Sequence, residues 1–230
     1  MLSLKKILIL VLWLKGIQKM RNWEKENLLI RFRESKKIIA KDKNHLKRLI
    51  RERVVKFGPN CDLNDIDVSH VTDMSRLFEH SKFNGYISQW DVSNVKSMMG
   101  MFSDSKFNGD ISEWDVHNVK NMNYMFWFSK FNGDISQWDV SNVKYMCMMF
   151  ASSKFNGDIS NWDVSSVKDM RSMFSESMFG SDISDWDVLN VRNMAWMFKD
   201  SPLDGNEPDW YKNYKEFKKW DLREKITYLE

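Results

Sequence analysis

The sequence predicts an α/β fold, a right-handed solenoid of six 24-residue units with helical caps at both ends. Three observations support this prediction. Residues of one type recur at a fixed interval of 24, each interval contains one helix-like and one strand-like segment, and an amphipathic segment flanks the repeats on either side. A fixed period in this range is typical of stacked supersecondary units, because a single unit cannot bury its own apolar face.

The repeated positions predict the core. One column consists of Trp90, Trp114, Trp138, Trp162 and Trp186, with Ile66 and Trp210 at its ends. A second column includes Phe102, Phe126, Phe150 and Phe174, and Asp, Val and Met columns accompany both. A continuous core requires the same residue at one position of every unit, so we interpret the Trp and Phe columns as structural. The alternative is a ladder of rings that stacks a ligand.

Within one unit, the order of apolar residues suggests two short elements. Val95, Met98, Met101 and Phe102 recur at helical spacing after the potential capping residues at 93 and 94. The segment 109–112 has a turn glycine followed by an inward Ile, which predicts a short strand. One strand and one helix per unit would form a coil of the leucine-rich-repeat kind.

The ends of the chain predict three regions: a basic N-terminal segment with a capping helix at 1–60, the repeats at 61–208, and a capping helix at 209–230. An apolar helical face precedes the first unit and ends at Gly58-Pro59. Its residues are Leu46, Leu49, Ile50, Val54 and Phe57. The second cap follows Pro202 and Pro208, and its expected anchors are Tyr214, Phe217, Trp220 and Leu222.

The repeat unit is itself recognisable. The pattern F-N-G-D-I-S-x-W-D-V-S-N-V-x-x-M-x-x-M-F occurs at 107–126 and 131–150. It resembles the repeat of the BspA-like leucine-rich-repeat surface proteins, the mycoplasma-type repeat of unknown function. The resemblance extends from Asp62 to about Trp210. It implies a solenoid for adhesion or protein binding, often at a cell surface, with no catalytic residues to carry over.

Neither the charge distribution nor the N-terminal segment determines the cellular location of the protein. Residues 1–60 contain 17 Lys and Arg against 5 Asp and Glu, whereas residues 61–230 contain 18 against 27. The basic segment could contact nucleic acid, an anionic surface or the acidic body of the protein itself. Residues 1–19 have the charged and apolar regions of a signal peptide but no small-residue cleavage site, and their apolar run is too short to span a bilayer. A surface or secreted location follows from the resemblance, and a cytoplasmic one stays open.

The sequence does not predict an enzyme. The four His residues do not recur in register, Cys61 and Cys147 have no metal-ligand spacing, and no Gly-rich phosphate loop is present. We therefore expect no catalytic residue, metal, cofactor or small-molecule substrate. One predicted column of stacked carboxylates consists of Asp110, Asp134, Asp158 and Asp182. Their mutual repulsion could be offset by turn capping, by the neighbouring Lys columns or by a cation such as calcium.

Binding specificity should lie at positions that vary between units. Most units have small or polar residues there, but the third and fourth units have aromatic and Met side chains in adjacent rows. The predicted binding patch consists of Tyr124, Trp127, Phe128, Tyr145 and Met148, with Trp196 further along one column. Such clusters are typical of interaction hot spots. The alternative is that the rings cover the edge of the core.

These observations favour a non-enzymatic module that binds an unidentified protein partner or serves in adhesion. Two rivals are a scaffold that self-associates through its ends and a binder of nucleic acid or an anionic surface that uses the basic segment. The acidic repeats argue against nucleic acid.

Overall fold

The computed structural model describes residues 37–216. Its elements are strand β1 (Ile38–Ile39), helix α1 (Lys43–Phe57), strand β2 (Ile66–Asp67) and a C-terminal helical segment at 209–216. The strands β1 and β2 form a two-stranded sheet. The signal-like segment 1–19 and the expected anchors Phe217, Trp220 and Leu222 lie outside the described residues.

Helix α1 covers one end of the repeats. The side chain of Asp42 caps its start by accepting from the His45 N–H at 2.8 Å, and Gly58, with φ +87°, ends it. Leu46 and Ile50 are buried in the same apolar cluster as the repeat columns, and Leu49 and Val54 pack against that cluster. The prediction for Phe57 was wrong: its side chain is 56% exposed, and Lys56 and Arg53 lie over its ring. Phe57 is the last helical residue, one turn beyond the apolar contact.

Successive repeat units are joined by backbone hydrogen bonds in a regular pattern. Between the second and third units, every second N–H donates to a carbonyl 23 residues further along the chain. The four bonds join Met98 to Asn121, Gly100 to Asn123, Phe102 to Met125 and Asp104 to Trp127, with N···O distances of 2.7–2.9 Å. Isolated parallel bridges connect Asp73, Ser97, Asn121, Tyr145, Asp169 and Asn193 in order. Each unit therefore has the previous and the next unit as its hydrogen-bonding neighbours.

The predicted short helix in each unit is not observed, since residues 58–208 contain no helical residue. The segment after Met98 is instead a series of tight turns. The Met101 N–H donates to the Met98 carbonyl at 3.1 Å, and Gly100, the third residue of this turn, has φ +61°. A positive φ at that position is typical of a type II turn and is incompatible with a right-handed helix. The helical spacing of the apolar residues arises because successive turns also return side chains to one face.

The predicted strand at 109–112 is likewise absent. Side chains provide the contacts there: the Asn108 N–H donates to the amide oxygen of Asn84, and the Ser112 N–H to the carboxylate of Asp110, at 2.8 and 3.0 Å. Because amide and carboxylate oxygens satisfy these donors, the backbone forms no strand ladder at this edge.

The Trp column lies inside the apolar cluster. Trp90, Trp114, Trp138, Trp162 and Trp186 are only 3–4% exposed. Each indole N–H donates to a carbonyl of the preceding unit; for Trp138 the acceptor is Ile111, at 3.0 Å. The same bond recurs from Trp90 to Leu63 and from Trp210 to Ile183. The column thus contributes both buried apolar area and a buried hydrogen bond to every junction between units.

Two Phe columns stack beside the Trp column. Phe102, Phe126, Phe150 and Phe174 are fully buried, with neighbouring ring centroids 5.6–5.8 Å apart. A second column, which the sequence analysis did not single out, consists of Phe83, Phe107, Phe131, Phe155 and Phe179. The two columns also touch each other, as at Phe126 and Phe131, whose ring centroids are 4.3 Å apart. The core is therefore a two-dimensional array of offset rings.

The C-terminal helical segment supplies a partner that a seventh unit would otherwise provide. In inner units the equivalent Met N–H donates to the next unit, as from Met170 to Asn193. In the last unit the Met194 N–H donates instead to the hydroxyl of Tyr214 at 3.1 Å. The Met197 N–H keeps the Met194 carbonyl as its turn partner and also contacts the hydroxyl of Tyr211 at 3.3 Å. Beside this segment lies a cavity of about 710 Å³, lined by Val188, Leu189, Val191, Arg192, Met194, Trp210, Asn213 and Tyr214.

The Asp columns cap turns, which is the first of the three offsets considered above. The carboxylates of Asp134, Asp158 and Asp182 each accept from the N–H of the Ser two residues later, at 2.9 Å. These backbone hydrogen bonds, together with those of the Ser hydroxyls, hold the pKa of each carboxyl below its usual value.

This capping predicts a specific loss of stability in acid. A carboxyl whose pKa is lower in the folded state contributes stability above its unfolded pKa, about 3.9, and loses it as the pH falls through that value towards the folded pKa. Thermal melts followed by circular dichroism should therefore show a melting temperature that declines from about pH 4 downward. Asp134→Asn, Asp158→Asn and Asp182→Asn combined should make that decline shallower. An unchanged acid slope in the triple variant would contradict the assignment.

Candidate functional site

Four of the six residues of the predicted binding patch are exposed. The exposed fractions are 37% for Trp127, 60% for Phe128, 46% for Tyr145 and 65% for Trp196. The Trp127 and Phe128 rings are tilted against each other with centroids 6.3 Å apart. Trp127, Phe128 and Tyr145 belong to the stretches 121–128 and 145–152, which follow the same path in consecutive units.

Tyr124 and Met148 are half-buried. Tyr124 lies next to Cys147 and Arg171 of the following two units, and burial raises the pKa of its hydroxyl, with Cys147 adding to the rise. Cys147 itself is buried, its N–H donates to the amide oxygen of Asn123 at 2.7 Å, and a guanidinium N–H of Arg171 reaches its Sγ at 3.5 Å. Tyr124 therefore covers part of a structural cluster and is also partly exposed at the surface.

Trp196 is separated from the rest of the patch. It occupies the same column as Tyr124 and Met148, but the unit between Met148 and Trp196 has Ser172 at this position. The patch therefore divides into a group formed by the third and fourth units and a single ring in the sixth.

The backbone of the patch is unusual for bulky residues. Tyr124, Phe128, Met148 and Trp196 all have φ between +53° and +60°. Only a few per cent of non-Gly residues adopt this region, and Asn, Asp and Gly suit it best. Other units follow that preference with Gly100 and Asp104. The turns require the conformation in every unit, so large side chains at these positions are not explained by the local backbone.

A notch lies beside the patch, above Gly100. It has a volume of about 250 Å³ and is lined by Arg76, Glu79, Met99, Gly100, Ser103, Tyr124 and Trp127. Its floor belongs to the second unit, and its walls belong to the first and third. Arg76 and Glu79 form a long ion pair of 3.7 Å on one wall. The sequence analysis did not identify Arg76 and Glu79 as site residues and treated Gly100 only as a small residue. The sequence feature that indicates the notch is a Gly that lies between an Arg and a Tyr at equivalent positions of three consecutive units.

The described residues offer little for other chemistries. Within 37–216, no three His, Cys, Asp or Glu side chains are grouped so that they could hold a metal ion. Cys61 and Cys147 are free and buried. Among the helices in this part of the chain, none has the length and apolar character that crossing a membrane requires. His80 and His117 each contact an Asp, at 2.8 and 2.6 Å, on the exposed surface.

Comparison with known proteins identifies one family. Residues 45–154 and 128–210 match the family described as Mycoplasma protein of unknown function, DUF285. The two overlapping matches cover more than half of the chain and include all of the repeat columns. No curated protein and no solved structure matches.

Proposed function

The chain belongs to the DUF285 family of Mycoplasma proteins, and on this premise we propose that it is a non-enzymatic module that binds a protein partner through the aromatic patch of its third and fourth units. The observation that carries the proposal is the exposure of Trp127 and Phe128 beside one another. Exposed, clustered rings are enriched at binding hot spots, and core formation does not explain them.

Comparison between units supports a role outside the core. The positions of Trp127 and Phe128 are occupied by Ser103 and Asp104 in the second unit, and by Ala151-Ser152 and Ser175-Glu176 in the fourth and fifth. All of these units make the same inter-unit hydrogen bonds. Since the hydrogen-bonding pattern tolerates a small or polar side chain at both positions, the large rings of the third unit are free for recognition.

The proposal extends to the form and setting of the protein. Six units joined in sequence by equivalent hydrogen bonds and ring stacks favour a right-handed solenoid, similar to the BspA-like leucine-rich-repeat proteins. Such an array presents neighbouring units as one extended binding surface. Adhesion at or near a cell surface is the role that this similarity favours.

The test compares Trp127→Ala combined with Phe128→Ala against the parent chain. Both are panned against a random peptide display library, and the affinities of the enriched peptides are measured. We expect the double variant to lose about 2 kcal/mol or more, roughly 30-fold in affinity, while its circular dichroism melt stays unchanged.

Met178→Ala combined with Leu189→Ala is the matched control, because both side chains are exposed apolar groups outside the patch. This control should retain the affinity of the parent. Failure of the parent to enrich any peptide would argue against a binding module. A melt that collapses in the Trp127 and Phe128 variant would assign the rings to the core instead.

A further inference from the structure

We propose that the notch above Gly100 receives a single aromatic side chain from the protein partner. The inference rests on the proposed binding function and specifies the chemistry of one contact. It depends on the shape of the notch, on the groups that flank it and on the aromatic residues that occupy the equivalent position in other units.

The notch occupies the space that a side chain at position 100 would fill. Arg76, Gly100 and Tyr124 occupy equivalent positions of three consecutive units, and only Gly100 lacks a side chain. Adjacent parallel backbones lie about 4.8 Å apart, so the backbones of the first and third units, which carry the wall side chains, are roughly 10 Å apart. This gap, with a volume of about 250 Å³, accommodates one flat ring between two flat groups.

The flanking groups favour an aromatic ring over other side chains. Arg76, whose side chain is 60% exposed, carries a guanidinium on one wall, and Tyr124 presents a ring on the other. A ring between them would have a cation–π contact on one face and an offset stack on the other. An inserted guanidinium would instead face Arg76 with like charge. The carboxylate of Glu79, whose side chain is partly exposed at the notch, is an acceptor for an indole N–H or a phenol.

The chain already places aromatic residues in this column. Gly100 has φ +61°, Tyr124 +60° and Trp196 +57°, so the backbone that leaves the notch empty in one unit carries a large ring in two others. A side chain added at Gly100 would first meet Cγ of Arg76, 3.3 Å from the added Cβ, which is part of a flexible and exposed chain. The Tyr side chain introduced by Gly100→Tyr should therefore occupy the notch itself.

The experiment uses the full chain and three probes: N-acetyltryptophanamide, N-acetylargininamide and N-acetylleucinamide. Binding is followed by saturation-transfer difference NMR. We expect transfer to the indole ring of the tryptophan probe and little to the other two probes. Gly100→Tyr should reduce that transfer at least tenfold, and Arg76→Met, which leaves the floor intact, should weaken it several-fold.

Glu176→Tyr is the matched control. It adds a Tyr at a position with φ +57° in the fifth unit, exposed and away from the notch, and should leave the transfer unchanged. Circular dichroism melts establish that each variant is folded, and Arg76→Met tests the notch even where Gly100→Tyr is destabilised.

Three results would overturn the inference. They are equal transfer to the leucine probe, stronger transfer to the arginine probe, and full transfer in both folded Gly100→Tyr and Arg76→Met. The peptide panning separates this failure from that of the proposed function. Loss of peptide binding on removal of Trp127 and Phe128, with no effect of Gly100→Tyr, would retain the binding module and reject the notch as its contact.

Discussion

Trp138→Ala is expected to lower the free energy of unfolding by about 3–5 kcal/mol. Trp138 lies in the middle of the array, is 3% exposed, and its indole N–H donates to the Ile111 carbonyl at 3.0 Å. The substitution removes a large buried ring and also leaves that carbonyl without its donor, which by itself commonly costs about 1–3 kcal/mol. Urea unfolding followed by circular dichroism measures the loss.

Trp138→Phe separates the two contributions. It retains an aromatic ring but has no N–H, so we expect a loss smaller than that of the Ala variant and mostly due to the unpaired carbonyl. An unfolding curve of Trp138→Ala that coincides with the parent's would mean that the Trp column does not support the fold, and would restore the interpretation of the column as a ligand ladder.

Phe126→Ala is expected to have a comparable effect, about 3–5 kcal/mol, through packing alone. Its ring is fully buried and has no polar atom. It stacks on Phe102 and Phe150, at 5.6 Å each, and on Phe131 at 4.3 Å. Truncation therefore leaves a cavity bordered by rigid rings that cannot collapse into it without breaking the register of the neighbouring units.

A double-mutant cycle tests this explanation. Phe126→Leu and Phe150→Leu each retain apolar volume but remove one of two stacked rings, so their effects should be non-additive by at least about 0.5 kcal/mol. Phe83→Leu, in the second Phe column and two units from Phe150, serves as the distant control and should be additive with Phe150→Leu. Strict additivity at the stacked pair would show that the rings contribute only individually buried area.

Periodicity, the composition of the columns and the N-terminal helix could be read from the sequence. A repeated Trp or Phe must occupy the same environment in every unit, so its recurrence alone indicates burial. Helix α1 was predictable because its signals are local: an apolar face and a terminating Gly58. The solenoid form, its hand and the adhesive role stay predictions, since they concern assembly and partners.

Only the tertiary structure decided the path of the backbone within a unit. The spacing of Val95, Met98, Met101 and Phe102 suits a helix, but the N–H groups of Met98 and Phe102 donate to the Asn121 and Met125 carbonyls of the next unit. The N–H groups of Val95 and Met101 donate within tight turns of their own unit. The spacing of apolar residues within a short segment does not indicate a hydrogen-bond acceptor that lies 23 residues further along the chain. The same applies to the notch: Arg76, Gly100 and Tyr124 are remote in sequence, and they form one site because inter-unit hydrogen bonds place their equivalent positions side by side.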